Sequence, residues 1–228
     1  MIVAVTGLQR EARIAAGPHV RAISCGGQPD ILREKLDATL DDRVRGIVSF
    51  GICAGLSPGL HPGSCIIASE VIADGVRIPT DGRWSAQLRR QLPEAFAGAI
   101  ASTAVMLRTA GEKSALFART GALAADMESH VAAEIARQKQ LPFVCLRAVA
   151  DTASSDLPHA ALTAVRANGT VDLAAVFASL VKRPGQIGAL VRVARETRAA
   201  FASLFRCRDV LGASLAGPDF SEPALDVI

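Results

Sequence analysis

The sequence predicts an α/β fold, a sandwich in which helices cover a largely parallel β-sheet. Short apolar runs alternate with amphipathic segments along the first two thirds of the chain, which is typical of buried parallel strands joined by helices. Hydrophobic residues make up 50% of the 228 residues and charged residues 21%, which indicates a globular chain and excludes wholesale disorder.

The individual elements follow from periodicity and from glycine and proline breaks. The apolar run 2–6 predicts a strand that ends at Gly7, and residues 8–16 predict a helix because Gly17-Pro18 stops it. Further strands are predicted at 20–24, 46–50, 64–72, 101–107, 122–126 and 142–149, and helices at 30–40, 84–92, 112–119, 127–139, 171–181 and 187–205. A glycine-rich loop is expected to follow the strand 46–50.

We expect one domain over residues 1–216, with a helical extension at 171–206 and a flexible tail at 217–228. The helical pattern of 187–205 has an apolar side with arginines between the apolar positions. Two interpretations are open. The helix packs on the sheet or on a partner subunit, or its basic amphipathic surface faces lipid.

Composition excludes several classes of protein. A net charge of +3 and 4% aromatic residues without Tyr argue against nucleic-acid binding. The five cysteines form no C-x-x-C and have no zinc-ligand spacing, which predicts reduced thiols in a cytoplasmic protein and no metal site. The first residues indicate a strand instead of a signal peptide, and no apolar run reaches the length of about 18 residues that a membrane span needs.

Several catalytic motifs are missing from the sequence. It contains no G-x-S-x-G, no Walker A lysine loop and no H-E-x-x-H, which argues against serine hydrolases, P-loop enzymes and zinc proteases. The glycine-rich segment 51–55 is not G-x-G-x-x-G and leads toward a strand, so a nicotinamide-dependent enzyme is disfavoured.

The remaining candidates for catalytic residues are acids near the predicted strand ends. Asp126 and Glu128 lie between a short strand and a helix, Asp151 ends a buried strand, and Glu11 lies in the first helix. Each has an ordinary structural interpretation, as a cap, a turn residue or a solvated surface acid. Ligands bind at the carboxyl ends of strands in such sheets, so we expect these acids and the glycine-rich segment to meet there.

Three segments resemble the nucleoside phosphorylase and nucleosidase superfamily, in order along the chain. They are the glycine-rich segment 51–68, the segment 124–133 with Ala-Ala-Asp-Met-Glu-Ser-His, and the final strand 141–153 with Arg-x-x-x-Asp. The opening strand followed by Gly-Leu-Gln-Arg-Glu-Ala is similar to the branch of 5′-methylthioadenosine/S-adenosylhomocysteine nucleosidases.

Within that superfamily the chain is most similar to the hopanoid-associated phosphorylases. Thr-Gly-Ala-Leu-Ala-Ala-Asp-Met-Glu-Ser-His and the Lys-Arg-Pro-Gly segment before a long arginine-rich helix support this. The resemblance implies a three-layer α/β/α sandwich with a central mixed, largely parallel sheet. It also implies release of adenine from adenosylhopane in hopanoid biosynthesis, which leaves a ribosylhopane.

The resemblance also implies a role for each acid. Asp151 would protonate or hydrogen-bond adenine N7, Glu128 would bind the ribose 2′ and 3′ hydroxyls, and Met127 would pack against the sugar. Glu11 would orient or deprotonate the nucleophile. Arg147 would lie near the active-site end of its strand as a structural or electrostatic partner.

Further positions complete the implied substrate site. Asp126 belongs to the acidic segment, while Gly51 and Ile52 would lie close to the sugar or the nucleophile. Val105 or Met106 would replace the aromatic residue that stacks on adenine in the methylthioadenosine branch. The chain departs from that branch at Ile52, where a Ser is usual, and this removes a hydroxyl from the implied site.

The resemblance implies no metal and no organic cofactor, with phosphate as a co-substrate if the reaction is a phosphorolysis. Whether phosphate or water is the nucleophile stays open at this point. A homodimer and peripheral contact with the inner face of the membrane are expected. Two alternatives are kept: a soluble nucleosidase for methylthioadenosine or adenosylhomocysteine, and a nucleoside-binding subunit without catalysis.

Overall fold

The computed structural model describes residues 1–162 and 184–218, together with residues 170 and 179. The strands are β1 (Ile2–Thr6), β2 (Val20–Ser24), β3 (Gly46–Gly55), β4 (Cys65–Ala73), β5 (Val76–Pro79), β6 (Phe96–Ser102), β7 (Ala124–Asp126) and β8 (Phe143–Asp151). The helices are α1 (Gln9–Ala15), α2 (Pro29–Thr39), α3 (Gly82–Gln91), α4 (Ala110–Thr120), α5 (Ser129–Gln138), α6 (His159–Leu162) and α7 (Ile187–Leu211).

The eight strands form one mixed sheet in the order β2-β1-β3-β7-β6-β4-β5, with β8 paired to both β3 and β4. Five of the strand pairings are parallel, and three are antiparallel. Because β8 bridges β3 and β4 on the side opposite β6 and β7, these five strands close into a ring. The predicted α/β class with a mixed, largely parallel sheet is confirmed.

The pairing of β3 with β8 runs through the middle of the molecule. The two strands are parallel, with Gly51 opposite Arg147 and Ala54 opposite Asp151. All nine residues of β8 are buried. The last residues of both strands therefore lie at the same edge of the sheet, where β1 also ends.

Alternate residues of the strands build two cores, one on each face of the sheet. One face packs against α2 and α5 through residues such as Leu36 and Ile135. The other packs against α1, α3 and α7 through Trp84 and Leu204. The period-two alternation of strand side chains thus produces the layered arrangement of helix, sheet and helix.

Two of the predicted elements are wrong in position. Residues 51–55 are not a loop, because the backbone continues β3, with residues 51–54 paired to β8 and Gly55 paired to Ala124 of β7. The strand predicted at 101–107 lies earlier, at Phe96–Ser102, where it pairs in parallel with both β4 and β7. The short strand β5 was not predicted. It forms a hairpin with β4.

The C-terminal region is described only in part. The helix predicted at 171–181 lies outside the described residues except for residue 179, and the tail is described only to residue 218. Helix α7 packs on the sheet through one side, as the first interpretation predicts. Its other side exposes Ile187, Val191 and Phe205. Within the described parts of the chain, no helix is both long and apolar enough to cross a membrane.

The packing of α7 predicts a sharp contrast between two neighbouring side chains. Leu204 is fully buried against the sheet, whereas Phe205 is 57% exposed. We expect Leu204→Ala to lower the free energy of unfolding by about 2–5 kcal/mol, because it removes methyl groups from a packed core. The matched change Phe205→Ala should stay within about 0.5 kcal/mol. Urea unfolding followed by the fluorescence of Trp84, the single tryptophan, measures both, and equal losses would contradict the docking of α7.

Candidate functional site

Arg147 lies at the centre of the site and has no exposure to solvent. Its Nε is 2.7 Å from Asp126 Oδ2, and its Nη2 is 3.3 Å from Glu128 Oε2. The same Nη2 donates to Ser49 Oγ at 2.6 Å. The guanidinium from β8 is therefore held by side chains from β3, β7 and the residue that precedes α5.

Glu11 is buried beside this guanidinium instead of being a solvated surface acid. Its Oε1 accepts a hydrogen bond from the backbone N–H of Ile52 at 2.7 Å, and its Oε2 accepts one from Leu8 at 2.7 Å. The second bond caps the first turn of α1. The first bond joins α1 to β3, so this carboxylate is fixed at both of its oxygens.

Two glycines leave the space that these acids occupy. A Cβ at Gly51 would lie 2.6 Å from both Arg147 Nη1 and Glu11 Oε1. A Cβ at Gly7 would lie 2.6 Å from Glu128 Oε1. Any side chain at these two positions would displace the charged groups, which explains why glycine ends β1 and lies opposite Arg147 in β3.

Hydroxyls complete the inner side of the cluster. Ser129 donates its hydroxyl proton to the carboxylate of Asp126, and its Oγ also lies 2.9 Å from Ser49 Oγ. Its backbone N–H also bonds Asp126 Oδ1 at 3.2 Å. Asp126 therefore caps the start of α5 as the structural interpretation predicts, and it binds Arg147 as well.

The charges of the cluster do not balance. Three buried carboxylates, Glu11, Asp126 and Glu128, surround the single guanidinium of Arg147. Burial raises the pKa of Glu128 to about 7, although Arg147 opposes the shift. Burial also raises the pKa of Glu11, again against Arg147. Burial would lower the pKa of Arg147, but the adjacent carboxylates outweigh it and raise this pKa, so the guanidinium stays charged.

Asp151 lies in a separate charged environment further along β8. Four residues of strand, a rise of about 13 Å, separate it from Arg147. Its carboxylate pairs with the ammonium of Lys113, a fully buried residue of α4. Burial raises the pKa of Asp151, while the positive charge of Lys113 acts in the opposite direction.

The remaining predicted site residues lie at the margins. A Cβ at Gly27, whose φ is +74°, would lie 3.3 Å from Met127 Cε, so the Met127 side chain covers this turn beside Glu128. Val105 and Met106 follow β6 and are 71% and 38% exposed. Their loop starts next to the acids, since Thr103 donates its backbone N–H to the carbonyl of Asp126 at 2.8 Å.

Sequence reasoning missed the polar partners of the two charged groups. Ser49, Ser129 and Lys113 were not predicted as site residues. Lys113 carried a signal, because a lysine whose helical neighbours Ala110, Leu116 and Phe117 are mostly apolar faces inward more readily than one on a charged face. Ser49 lies inside an apolar strand, where a polar side chain needs a buried partner.

The arrangement offers acceptors for hydroxyl groups, a buried negative charge and a separate carboxyl group. Such a site can bind a polyol, stabilise a developing cation and protonate a leaving group. Within the described ranges, no three His, Cys, Asp or Glu side chains are placed to hold a metal ion.

The family comparison identifies one model. The family described as the Phosphorylase superfamily matches residues 32–182, more than half of the chain. This range includes Asp126, Glu128, Arg147 and Asp151, while Glu11 lies before it. No curated protein matches the sequence.

Solved structures share the fold at low sequence identity. The 5′-methylthioadenosine/S-adenosylhomocysteine nucleosidase of Helicobacter pylori is 12% identical, with a TM-score of 0.63 over 89% of this chain and 95% of that chain. A putative nucleosidase of the same kind from Francisella philomiragia is 16% identical, with a TM-score of 0.62 over 92% and 96%. Futalosine hydrolase of Helicobacter pylori is 15% identical, with a TM-score of 0.60 over 90% and 96%.

The charge imbalance around Arg147 predicts a pH-dependent stability. The folded pKa of Glu128, about 7, lies above its ordinary value of 4.5. The folded state therefore holds more protons than the unfolded state in this window, and stability falls as the pH rises through it. Arg147→Met removes the only cation of the cluster. We expect it to cost about 3–5 kcal/mol at pH 8 and clearly less at pH 5.5, below the folded pKa of Glu128, where this carboxyl group is protonated.

Urea unfolding at the two pH values measures this difference. Arg43→Met is the matched control, because Arg43 pairs with Asp41 at the surface and its side chain is 81% exposed. Arg43→Met should change the free energy of unfolding little at either pH. An equal loss of stability for Arg147→Met at both pH values would contradict the electrostatic account of the cluster.

Proposed function

Because the chain belongs to the Phosphorylase superfamily, we propose that it cleaves the N-glycosidic bond of a 5′-substituted adenosine and releases adenine. The observation that supports this most directly is the separation of two charged environments at one edge of the sheet. One is the acidic cluster around Arg147, and the other is the pair of Asp151 with Lys113.

The acidic cluster suits the sugar. Breaking the bond leaves positive charge on the ribose, in a transition state like that of glycoside hydrolysis. Glu11, Asp126 and Glu128 outnumber the one guanidinium, so the cluster attracts that charge. Glu128 would accept hydrogen bonds from the 2′ and 3′ hydroxyls, and Met127 would pack against the ring. Charge-assisted hydrogen bonds of this type are about twice as strong as neutral ones.

Asp151 suits the purine. Adenine leaves with a pair of electrons and needs a proton, which a carboxyl group with a raised pKa can supply near neutral pH. Burial raises the pKa of Asp151. The proton would pass to N7, and the electrons of the broken bond would be held in the neutral base.

The arginines near the acids in the described part of the chain favour one of the two nucleophiles. Arg147 is engaged by two carboxylates and by Ser49, so it is not available to bind phosphate. Arg10 lies over the ring of Phe201 at 4.2 Å, and Arg13 is exposed. This favours water, oriented by Glu11, over phosphate. We therefore write the reaction as a hydrolysis.

The rim of the site supports a lipid as the 5′ substituent. Val105 and Met106 are exposed apolar residues in the loop after β6, whose first residue, Thr103, donates its backbone N–H to the carbonyl of Asp126. The outer side of α7 exposes Ile187, Val191 and Phe205, with Arg195 and Arg198 also on its surface. Adenosylhopane, with its hopane skeleton on the ribose 5′ carbon, matches this distribution. The protein would then act from the inner face of the membrane as a homodimer.

Asp151→Asn tests the assignment of the acid. An amide cannot donate the proton, so the rate of adenine release should fall by about 10²–10⁴-fold while the fold stays intact. Asp156→Asn is the matched control, because Asp156 Oδ1 accepts from the backbone of Ala110 and an amide oxygen can do the same. Adenine release is measured by chromatography, and folding by circular dichroism. Full activity in Asp151→Asn would overturn the assignment.

A substrate comparison tests the finer proposal. Adenine release is measured from adenosylhopane in detergent and from methylthioadenosine, each with and without phosphate. We expect release from the lipid in the absence of phosphate. Release only with phosphate would make the reaction a phosphorolysis, and release only from methylthioadenosine would return the chain to the soluble alternative. Nucleoside binding without any release would support the non-catalytic alternative.

A further inference from the structure

We propose that Lys113 is a positioning residue for the acid, which fixes the carboxyl group of Asp151 and stabilises the carboxylate left after its proton has gone to the base. The inference rests on the proposed function, because it assigns Lys113 a part in the same proton transfer.

The ammonium of Lys113 is saturated by the chain around Asp151. Besides the Asp151 carboxylate, it donates to the carbonyls of Thr152 and Ser155, each at 2.8 Å. A lysine ammonium has three N–H donors, so each donor has one acceptor. Lys113 is fully buried. It therefore has no alternative partner in water, and its position determines where the carboxyl group lies.

Lys113 itself is held firmly. The loop after β8 is attached to the start of α4 by two bonds: Ala110 N–H to Asp156 Oδ1 at 2.7 Å, and Leu157 N–H to the carbonyl of Arg108 at 2.8 Å. The first turn of α4 is closed by a capping box between Thr109 and Glu112. Helix α4 and the catalytic end of β8 thus form one fixed unit.

Other charged groups also face Asp151. Arg192 and Glu196 of α7 pair with each other at 3.6 Å, and Arg192 donates to Ser155 Oγ at 2.5 Å. The buried thiol of Cys53 in β3 also interacts with Asp151. The opposite charges of Arg192 and Glu196 act on Asp151 in opposite directions and so offset each other. Lys113 contributes the uncompensated cation, in direct contact with Oδ2.

This geometry separates the two oxygens of the carboxyl group. Lys113 holds Oδ2, so the proton that goes to the base is carried by Oδ1. When the O–H bond breaks and the N7–H bond forms, the C1′–N9 electron pair leaves with adenine and a carboxylate remains. Lys113 keeps all of its protons. Its attraction to Asp151 grows as the negative charge develops, so it stabilises the transition state more than the ground state.

Lys113→Met removes the charge and keeps a similar length. Without the cation, the pKa of Asp151 should rise further, by about 1–3 units. The acid form then persists to higher pH, so the alkaline limb of the kcat profile should move up by the same amount. The plateau of kcat should fall about 10²-fold with KM little changed, because the carboxylate product has lost its partner.

Two measurements keep this inference separate from the proposed function. The Asp151 carboxyl carbon is titrated by ¹³C NMR in the wild type and in Lys113→Met, and its signal is assigned by its loss in Asp151→Asn. The pH profile of adenine release is measured on the same proteins. Lys139→Met, the same change at an exposed lysine after α5, is the matched control and should leave both unchanged.

Each outcome decides a different point. An unchanged Asp151 titration in folded Lys113→Met overturns the inference. A shifted titration with an unchanged kcat profile shows contact without a part in catalysis, and also overturns it. If the wild type releases no adenine, the proposed function fails and the catalytic part of the inference fails with it, while the titration still decides whether Lys113 controls Asp151. If Lys113→Met does not fold, Lys113→Arg retains the charge and should leave the titration near its wild-type position.

Discussion

A guanidinium removed from water needs oxygen atoms in place of its hydration shell, and the fold supplies them to Arg147 from several elements at once. Asp126 at the end of β7, Glu128 before α5 and Ser49 within β3 all bind it. Because a charge without partners is very costly in a protein interior, these elements cannot separate without losing that compensation. The ring of strands and the chemistry of the site therefore depend on the same contacts.

The two carboxyl environments differ in a way that suits different tasks. Glu128 shares one guanidinium with two other acids, so a proton remains in the cluster near neutral pH. Asp151 has its own ammonium, whose positive charge acts against the burial that raises the pKa of this carboxyl group. Placing carboxyl groups in different environments is how enzymes obtain both an acid and a charge stabiliser from the same residue type. Distance along β8 keeps the two environments from merging.

The parts of the fold that could be predicted are those determined by local sequence. The apolar run 2–6 coincides with β1 because a buried strand needs continuous apolar residues, and the strand predicted at 20–24 coincides with β2. Residues 51–55 were wrongly predicted as a loop because glycine usually indicates a turn. In the structure Gly51 lies inside a strand, where it leaves room for Arg147. Arg147 is 96 residues further along the chain, so no local pattern reveals this contact. Lys113 and Asp151 are likewise paired across 38 residues, which no local pattern shows.

The acids Asp126 and Glu128 were found because they lie where a strand ends and a helix begins, and Glu11 because it lies in the helix that follows β1, so that the topology of the sheet brings all three together. The expectation that ligands bind at the carboxyl ends of strands does not predict where the outer boundary of the site lies. Val105 and Met106 are exposed apolar residues in the loop after β6, which is bonded to the backbone of Asp126 through Thr103. A single exposed apolar residue means little by itself. Next to a buried acidic cluster, however, an apolar 5′ substituent resting on them would keep water away from the carboxylates, and charges act more strongly on a developing cation where water is excluded. In that arrangement the substrate itself would close the site that the fold leaves open.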